Sequence, residues 1–131
     1  MTFSWRELSL LALGGVLGTF ARAGLSAVVT RALPRETTFP WGTSAVNLLG
    51  CVAFGVCWVL IEARLGGSVL AKLCVLTGFM GAFTTFSTFA FETATLLQRS
   101  QVGLAVANLL LQNVVGVLLM VLGMLIGRAL F

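Results

Sequence analysis

Gly78-Phe79-Met80-Gly81-Ala82-Phe83-Thr84-Thr85-Phe86-Ser87-Thr88-Phe89 is the stretch that decides how this chain folds. It lies midway along an apolar segment from about Ser68 to Gln98, long enough to be a membrane helix at about 20 residues per span. Its middle is nevertheless a poor helix. Gly78 and Gly81 each cost about 1 kcal/mol relative to Ala, and Thr84, Thr85 and Thr88 add several tenths each, roughly 3–4 kcal/mol together. Ser and Thr hydroxyls also compete for the backbone groups that a helix needs. In lipid an unpaired backbone group costs several kcal/mol, so a break survives only where protein, water or an ion satisfies it. The reading is a third helix broken mid-membrane, with hydroxyls, freed backbone and four phenyl rings at one depth. That combination points to an ion site, which the rest of the chain is built to hold.

Outward from this stretch the composition says the same. The chain has 131 residues, 59% of them hydrophobic and only 9% charged, with a mean hydropathy of +1.07. Soluble domains are nearer 25% charged. The chain reads as an all-α integral membrane protein, a single domain over 1–131. Its four helices are expected at about 8–29, 41–61, 68–98 and 103–128, leaving no room for a separate soluble catalytic module. With no His, Asp or Tyr, the commonest metal ligands and proton-relay groups are missing, and no enzyme is expected. Cys51, Cys57 and Cys74 all fall in apolar runs and read as packing residues rather than a disulfide framework or metal site. The net charge of +4 is scattered without a basic run, so nucleic acid is not an expected partner; membrane lipid is. Arg6, an apolar run and Ala21-Arg22-Ala23 resemble a signal peptide, but apolar character resumes after Arg22 and favours a retained first helix.

In the first helix Gly14 and Gly18 form a GxxxG pair that lets another helix approach closely. Arg22 continues their stripe at i+4; a cation inside an apolar run either snorkels to the interface or faces an aqueous cavity or a partner, and the reading taken here is the mouth of an anion path. The segment 31–40 carries both prolines and reads as a turn outside the membrane, followed by Trp41 as an interfacial anchor. In the second helix Thr43, Asn47, Gly50 and Phe54 share one face, and the Asn47 amide offers two N–H donors. Glu92 lies near the end of the third helix, as an interfacial charge or a vestibule residue. In the fourth, Asn108, Gln112 and Gly116 follow at i+4, a polar end passing into a small-residue seam, which suggests a face that packs closely and partly lines a wet path. Asn113 sits about 100° round from Gln112 and needs its own partner.

With four spans both termini lie on one side. That side carries Arg6, Arg64, Lys72 and Arg128, and the other Arg31, Arg35 and Arg99. So small a difference leaves almost none of the positive-inside bias that normally fixes orientation. A chain without it can insert both ways and pair as an antiparallel, dual-topology homodimer, assembling from two copies the inverted repeat that larger transporters carry in one.

At 78–89 the chain resembles the Fluc (CrcB-type) fluoride channels. Further agreement lies at Gly14-Gly15-Val16-Leu17-Gly18-Thr19-Phe20-Ala21-Arg22, at Val46-Asn47-Leu48-Leu49-Gly50, and at Glu92 three residues beyond the motif. The resemblance implies an antiparallel homodimer in the cell membrane with two fluoride paths. It also implies a structural sodium ion at the dimer centre, held by the backbone carbonyls of Gly81 and Thr84 from each chain. Phe86 and Phe89 match the rings lining the path, Asn47 the amide beside it, Ser87 and Thr88 neighbouring hydroxyls, and Arg22 a vestibule arginine. Gln112 stands where the family often has serine; it is assigned to the path as a longer N–H donor.

The physics is consistent with that transfer. Phenyl edges are positive, so an anion can pass along them without a fixed cation that would trap it. The implied function is a passive, fluoride-selective channel exporting fluoride from the cytoplasm and so limiting its toxicity. A proton-coupled small multidrug exporter is similar in size but needs an acid deep in the first helix, and residues 8–29 contain none. A membrane assembly subunit without transport leaves the third-helix stretch unexplained.

Overall fold

The structure is a computed structural model that describes residues 3–34 and 37–131; Arg35 and Glu36 of the expected loop lie outside them. Four helices are long and apolar enough to cross a membrane: α1 (Trp5–Ala32), α2 (Trp41–Arg64), α3 (Val69–Gln98) and α4 (Val102–Leu130). This is a multi-pass membrane protein.

α1 begins ahead of the expected Leu8 because of a local cap that hydropathy does not register. At the start of α1, Glu7 N–H donates to the Ser4 hydroxyl and Ser4 N–H donates to the Glu7 carboxylate at 2.7 Å. This reciprocal pair satisfies two orphan donors and starts the helix at Trp5, before the apolar run begins. Pro40 precedes α2 and cannot itself extend a helix backwards. α2 runs on to Arg64 and stops where Gly66 and Gly67 take φ of 57° and 68°, the left-handed region that glycine enters without steric cost. Ser68 then caps α3 by accepting from Ala71 N–H, and the Lys72 ammonium pairs with Glu62 and lies over the Trp58 ring at 5.0 Å.

Along the first part of α3, 69–83, the dihedrals are helical, and Thr84 turns to φ −86°, ψ 158°. Thr85 follows at φ −148°, ψ 114°, and helical geometry resumes over Phe86–Gln98. Over Lys72–Met80 and again over Leu111–Val115 of α4, the backbone widens to i→i+5 pairing, a geometry that is rare and turns up near functional sites.

Two seams hold the bundle. α1 lies along the first part of α3, so close that a Cβ at Gly78 would sit 2.9 Å from the Leu11 carbonyl and 3.2 Å from Gly14 Cα. α2 lies along the second part of α4, where a Cβ at Gly55 would meet Met124 N at 2.7 Å. Backbones this near gain dispersion contacts, which drive helix association where lipid removes the hydrophobic force. Between the seams Val46, Met80 and Phe83 form a small apolar core. The Phe79 and Phe83 rings stack beside it at 5.8 Å. Next to that core lies a polar one: Thr43, Ser44, Thr93 and Asn108 are all buried.

Candidate functional site

The site is built around Thr84 and Thr85. Extended backbone there leaves peptide groups without helical partners, and Asn47 from α2 supplies them. Its Oδ1 accepts from Thr85 N–H at 2.8 Å, and its Nδ2 donates to the Thr85 carbonyl at 3.0 Å. One amide thus closes both backbone groups of one residue. The Thr85 hydroxyl caps the helix that follows, accepting from Thr88 N–H at 3.3 Å and donating to the Thr88 hydroxyl at 3.0 Å. The Thr84 hydroxyl bonds back to the Met80 carbonyl.

Two carbonyls lose their donors in this way. In a continuous helix Thr85 N–H would serve Gly81 C=O and Thr88 N–H would serve Thr84 C=O. Both N–H groups are engaged elsewhere, on Asn47 and on the Thr85 hydroxyl.

From Asn47 a chain of amides leads inward. Its second N–H donates to Gln112 Oε1 at 2.6 Å, and Gln112 Nε2 donates to Asn108 Oδ1 at 2.8 Å. Asn108, with no exposed surface, donates to the Thr93 hydroxyl at 2.9 Å, which donates to the Phe89 carbonyl at 2.8 Å. Ser44 borders the chain, 3.4 Å from Gln112 Nε2. Nearby, the Thr43 hydroxyl donates to Glu92 Oε1 at 2.7 Å, and Glu92 Oε2 is buried without a protein partner. Asn113 donates to its own helix at the Leu109 carbonyl.

The rings of Phe86 and Phe89 stand 5.4 Å apart, tilted by 58°. Phe89 is 5% exposed and Phe86 75%, so one ring faces the core and the other points out of the chain. With Asn47, Cys51, Thr84 and Gln112 they line a cavity of about 220 Å³. Arg22 and Thr88 line another, of about 200 Å³, to which Thr43 and Thr85 also belong. Ser87 is exposed, its hydroxyl 3.4 Å from that of Thr85. The structure therefore places Asn47, Gln112, Phe86 and Phe89 together, puts Arg22 and Thr88 in a neighbouring cavity, and joins the two at Thr85. A third cavity, of about 460 Å³, opens beside Thr43 and Glu92 towards Arg99 and Trp41. Among the described residues no three His, Cys, Asp or Glu side chains converge as a metal site.

Residues 9–124 match the profile of the family described as "CrcB-like protein, Camphor Resistance (CrcB)". The chain belongs to the CrcB-like family. Its CrcB-like relatives include a protein of Nitrosococcus oceani, 46% identical over 95% of this chain and 98% of its own length. Another, from Solidesulfovibrio magneticus, is 44% identical over 93% of this chain and 96% of its own. Both are named "Fluoride-specific ion channel FluC", so the family is one of ion channels rather than enzymes.

Sequence reading did not single out two residues of this hydrogen-bonded chain, Ser44 and Thr93, and it read Asn108 as part of a face that packs closely and partly lines a wet path. The available signal was a helical face: Asn108 is one turn before Gln112, and Thr93 one turn after Phe89.

Proposed function

We propose that this chain is a passive, fluoride-selective channel of the cell membrane that lets fluoride leave the cytoplasm down its gradient. The observation that carries the reading is its match along nearly its whole length to proteins named fluoride-specific ion channels. Geometry supports it. A break in α3 at Thr84–Thr85 would put two opposite helix ends at one depth. The start of Phe86–Gln98 offers free N–H groups and the positive end of a dipole, which favours an anion. The end of 69–83 offers carbonyls, which favour a cation. An anion beside Phe86 and Phe89 meets positive ring edges, Asn47 and the hydroxyls of Ser87 and Thr88 replace lost water, and Arg22 raises the local anion concentration. No fixed charge sits in the Phe86–Phe89 cavity to trap the ion.

The functional unit in this reading is an antiparallel, dual-topology homodimer. Phe86, Phe20 and much of α1 are exposed apolar surface, which a second copy would cover. Gly81 and Thr84 fit a structural sodium ion. Their carbonyls have lost their helical donors, hard oxygens suit a hard cation, and two copies would double the donor count. Such an ion would tie the two breaks together and satisfy their carbonyls.

Purified protein in liposomes, followed by a fluoride electrode, tests the reading. Fluoride efflux is expected, with chloride efflux very small. Equal chloride flux, or none of either ion, rejects it.

A further inference from the structure

The donors of Asn47 can be counted. A primary amide has two N–H groups and one carbonyl oxygen, and on Asn47 all are occupied: N–H by the Thr85 carbonyl and by Gln112 Oε1, oxygen by Thr85 N–H. Nor can the amides be turned round. A backbone N–H donates and never accepts, so Thr85 N–H fixes the oxygen of Asn47 towards itself. The amino group of Asn47 must then face Gln112, and Gln112 must answer with its oxygen. Five bonds run head to tail from Thr85 N–H through Asn47, Gln112, Asn108 and Thr93 to the Phe89 carbonyl. One backbone group thus sets the polarity of the whole chain.

This leaves no hydrogen on Asn47 for an ion in the cavity it shares with Phe86 and Phe89. An anion that uses Asn47 has to take a hydrogen from one of its present acceptors. The Thr85 carbonyl is a poor candidate, because extended backbone left unpaired in lipid costs several kcal/mol per group. Gln112 Oε1 is a neutral oxygen on a flexible side chain, and a charged acceptor forms a hydrogen bond about twice as strong.

We propose that Gln112 is an internal competitor for the anion, its Oε1 holding the Asn47 hydrogen that the ion takes when it enters. Gln112 is a positioning residue: it acts on the ion through Asn47, and it sets how much fluoride is needed to open the exchange. The inference rests on the channel reading of the same site and adds to it a residue that tunes affinity.

The test is flux from liposomes as a function of fluoride concentration, with the full-length protein. Gln112→Met keeps length and apolar bulk but offers only a weakly accepting sulfur. The fluoride concentration for half-maximal flux is expected to fall about fivefold, the equivalent of the ~1 kcal/mol of one neutral hydrogen bond. Maximal flux is expected to change much less than this. Gln112→Ser, too short to reach Asn47, is expected to give the same fall. A purely structural role would lower flux or protein yield without lowering the half-maximal concentration. If the wild-type channel conducts and neither variant shows the fall, the competitor role is overturned and the channel reading stands. Failure of both variants to give a monodisperse protein by size exclusion makes Gln112 a structural strut and also overturns it. No fluoride flux from the wild-type protein overturns the channel reading, and this inference with it.

Discussion

Asn47 carries the largest share of the site for its size. It pairs the two backbone groups of Thr85 and starts the amide chain to Phe89. Asn47→Asp would keep the acceptor for Thr85 N–H but set oxygen against the Thr85 carbonyl and against Gln112 Oε1. It would also place a negative charge beside the proposed anion path. Fluoride flux is expected to drop about tenfold or more, equivalent to at least ~1.4 kcal/mol, while size exclusion still shows the assembled protein. Phe86→Ile tests the ring edges separately. It retains bulk without a quadrupole, so flux is expected to fall while the assembled protein persists. Near-normal flux in both variants would move the path elsewhere. At this scale the sequence named Asn47 and Gln112, because amides are rare in an apolar run, and Phe86 and Phe89, because they stand beside the glycines and threonines of 78–89. It could not connect them: Asn47 and Gln112 are far apart in the chain, and only the packing of α2 against α4 brings their amides to 2.6 Å.

The elements explain why Thr84 and Thr85 can stay extended. α3 is clamped on both sides of those residues, by α1 along 69–83 and by the polar contacts of Glu92 and Thr93 beyond Phe86. The α1 clamp depends on backbone contact at Gly78, where an added Cβ meets the Leu11 carbonyl and Gly14 Cα rather than a side chain that can swing aside. Gly78→Val is therefore expected to destabilise the folded protein by about 1–3 kcal/mol or more, the usual penalty of overpacking. A lower unfolding temperature in detergent would register it; an unchanged one would mean that the α1–α3 seam is not close-packed. The polar clamp has its own test. Asn108 is fully buried, and Asn108→Leu would leave Gln112 Nε2 and the Thr93 hydroxyl short of a partner. A buried unpaired polar group costs about 1–3 kcal/mol, so this variant too is expected to unfold earlier. The limits of the helices belong to the same scale. Hydropathy marks the spans, but the Ser4–Glu7 pair and the Ser68 cap decide where they begin.

At the scale of the molecule the question is what a second chain adds. The near-even basic residues on the two faces predict that copies insert both ways. Reporters fused to the C-terminus, one active only inside the cell and one only outside, should both give signal. Adding three lysines to the 31–40 loop should fix one orientation and abolish flux. Co-expression with a copy fixed the other way should restore it. Full flux from the singly oriented protein would reject the antiparallel dimer. The sodium proposal is tested by exchanging sodium for a large organic cation throughout purification. The proposed dimer is expected to lose stability, and restoring sodium is expected to recover it; indifference to the exchange would remove the cation from the scheme.

The sequence by itself determined the class of this protein and the place where its helical propensity is weakest. Long apolar runs leave only helices as a way across lipid, and the glycines and threonines of 78–89 weaken one of those helices locally, wherever it packs. Tertiary structure decided what satisfies the weak point. Backbone hydrogen bonds within a helix are local and can be read along the chain. The amide of Asn47, the small-residue seams and the polar chain through Gln112 and Asn108 join groups that become neighbours only once four helices are packed.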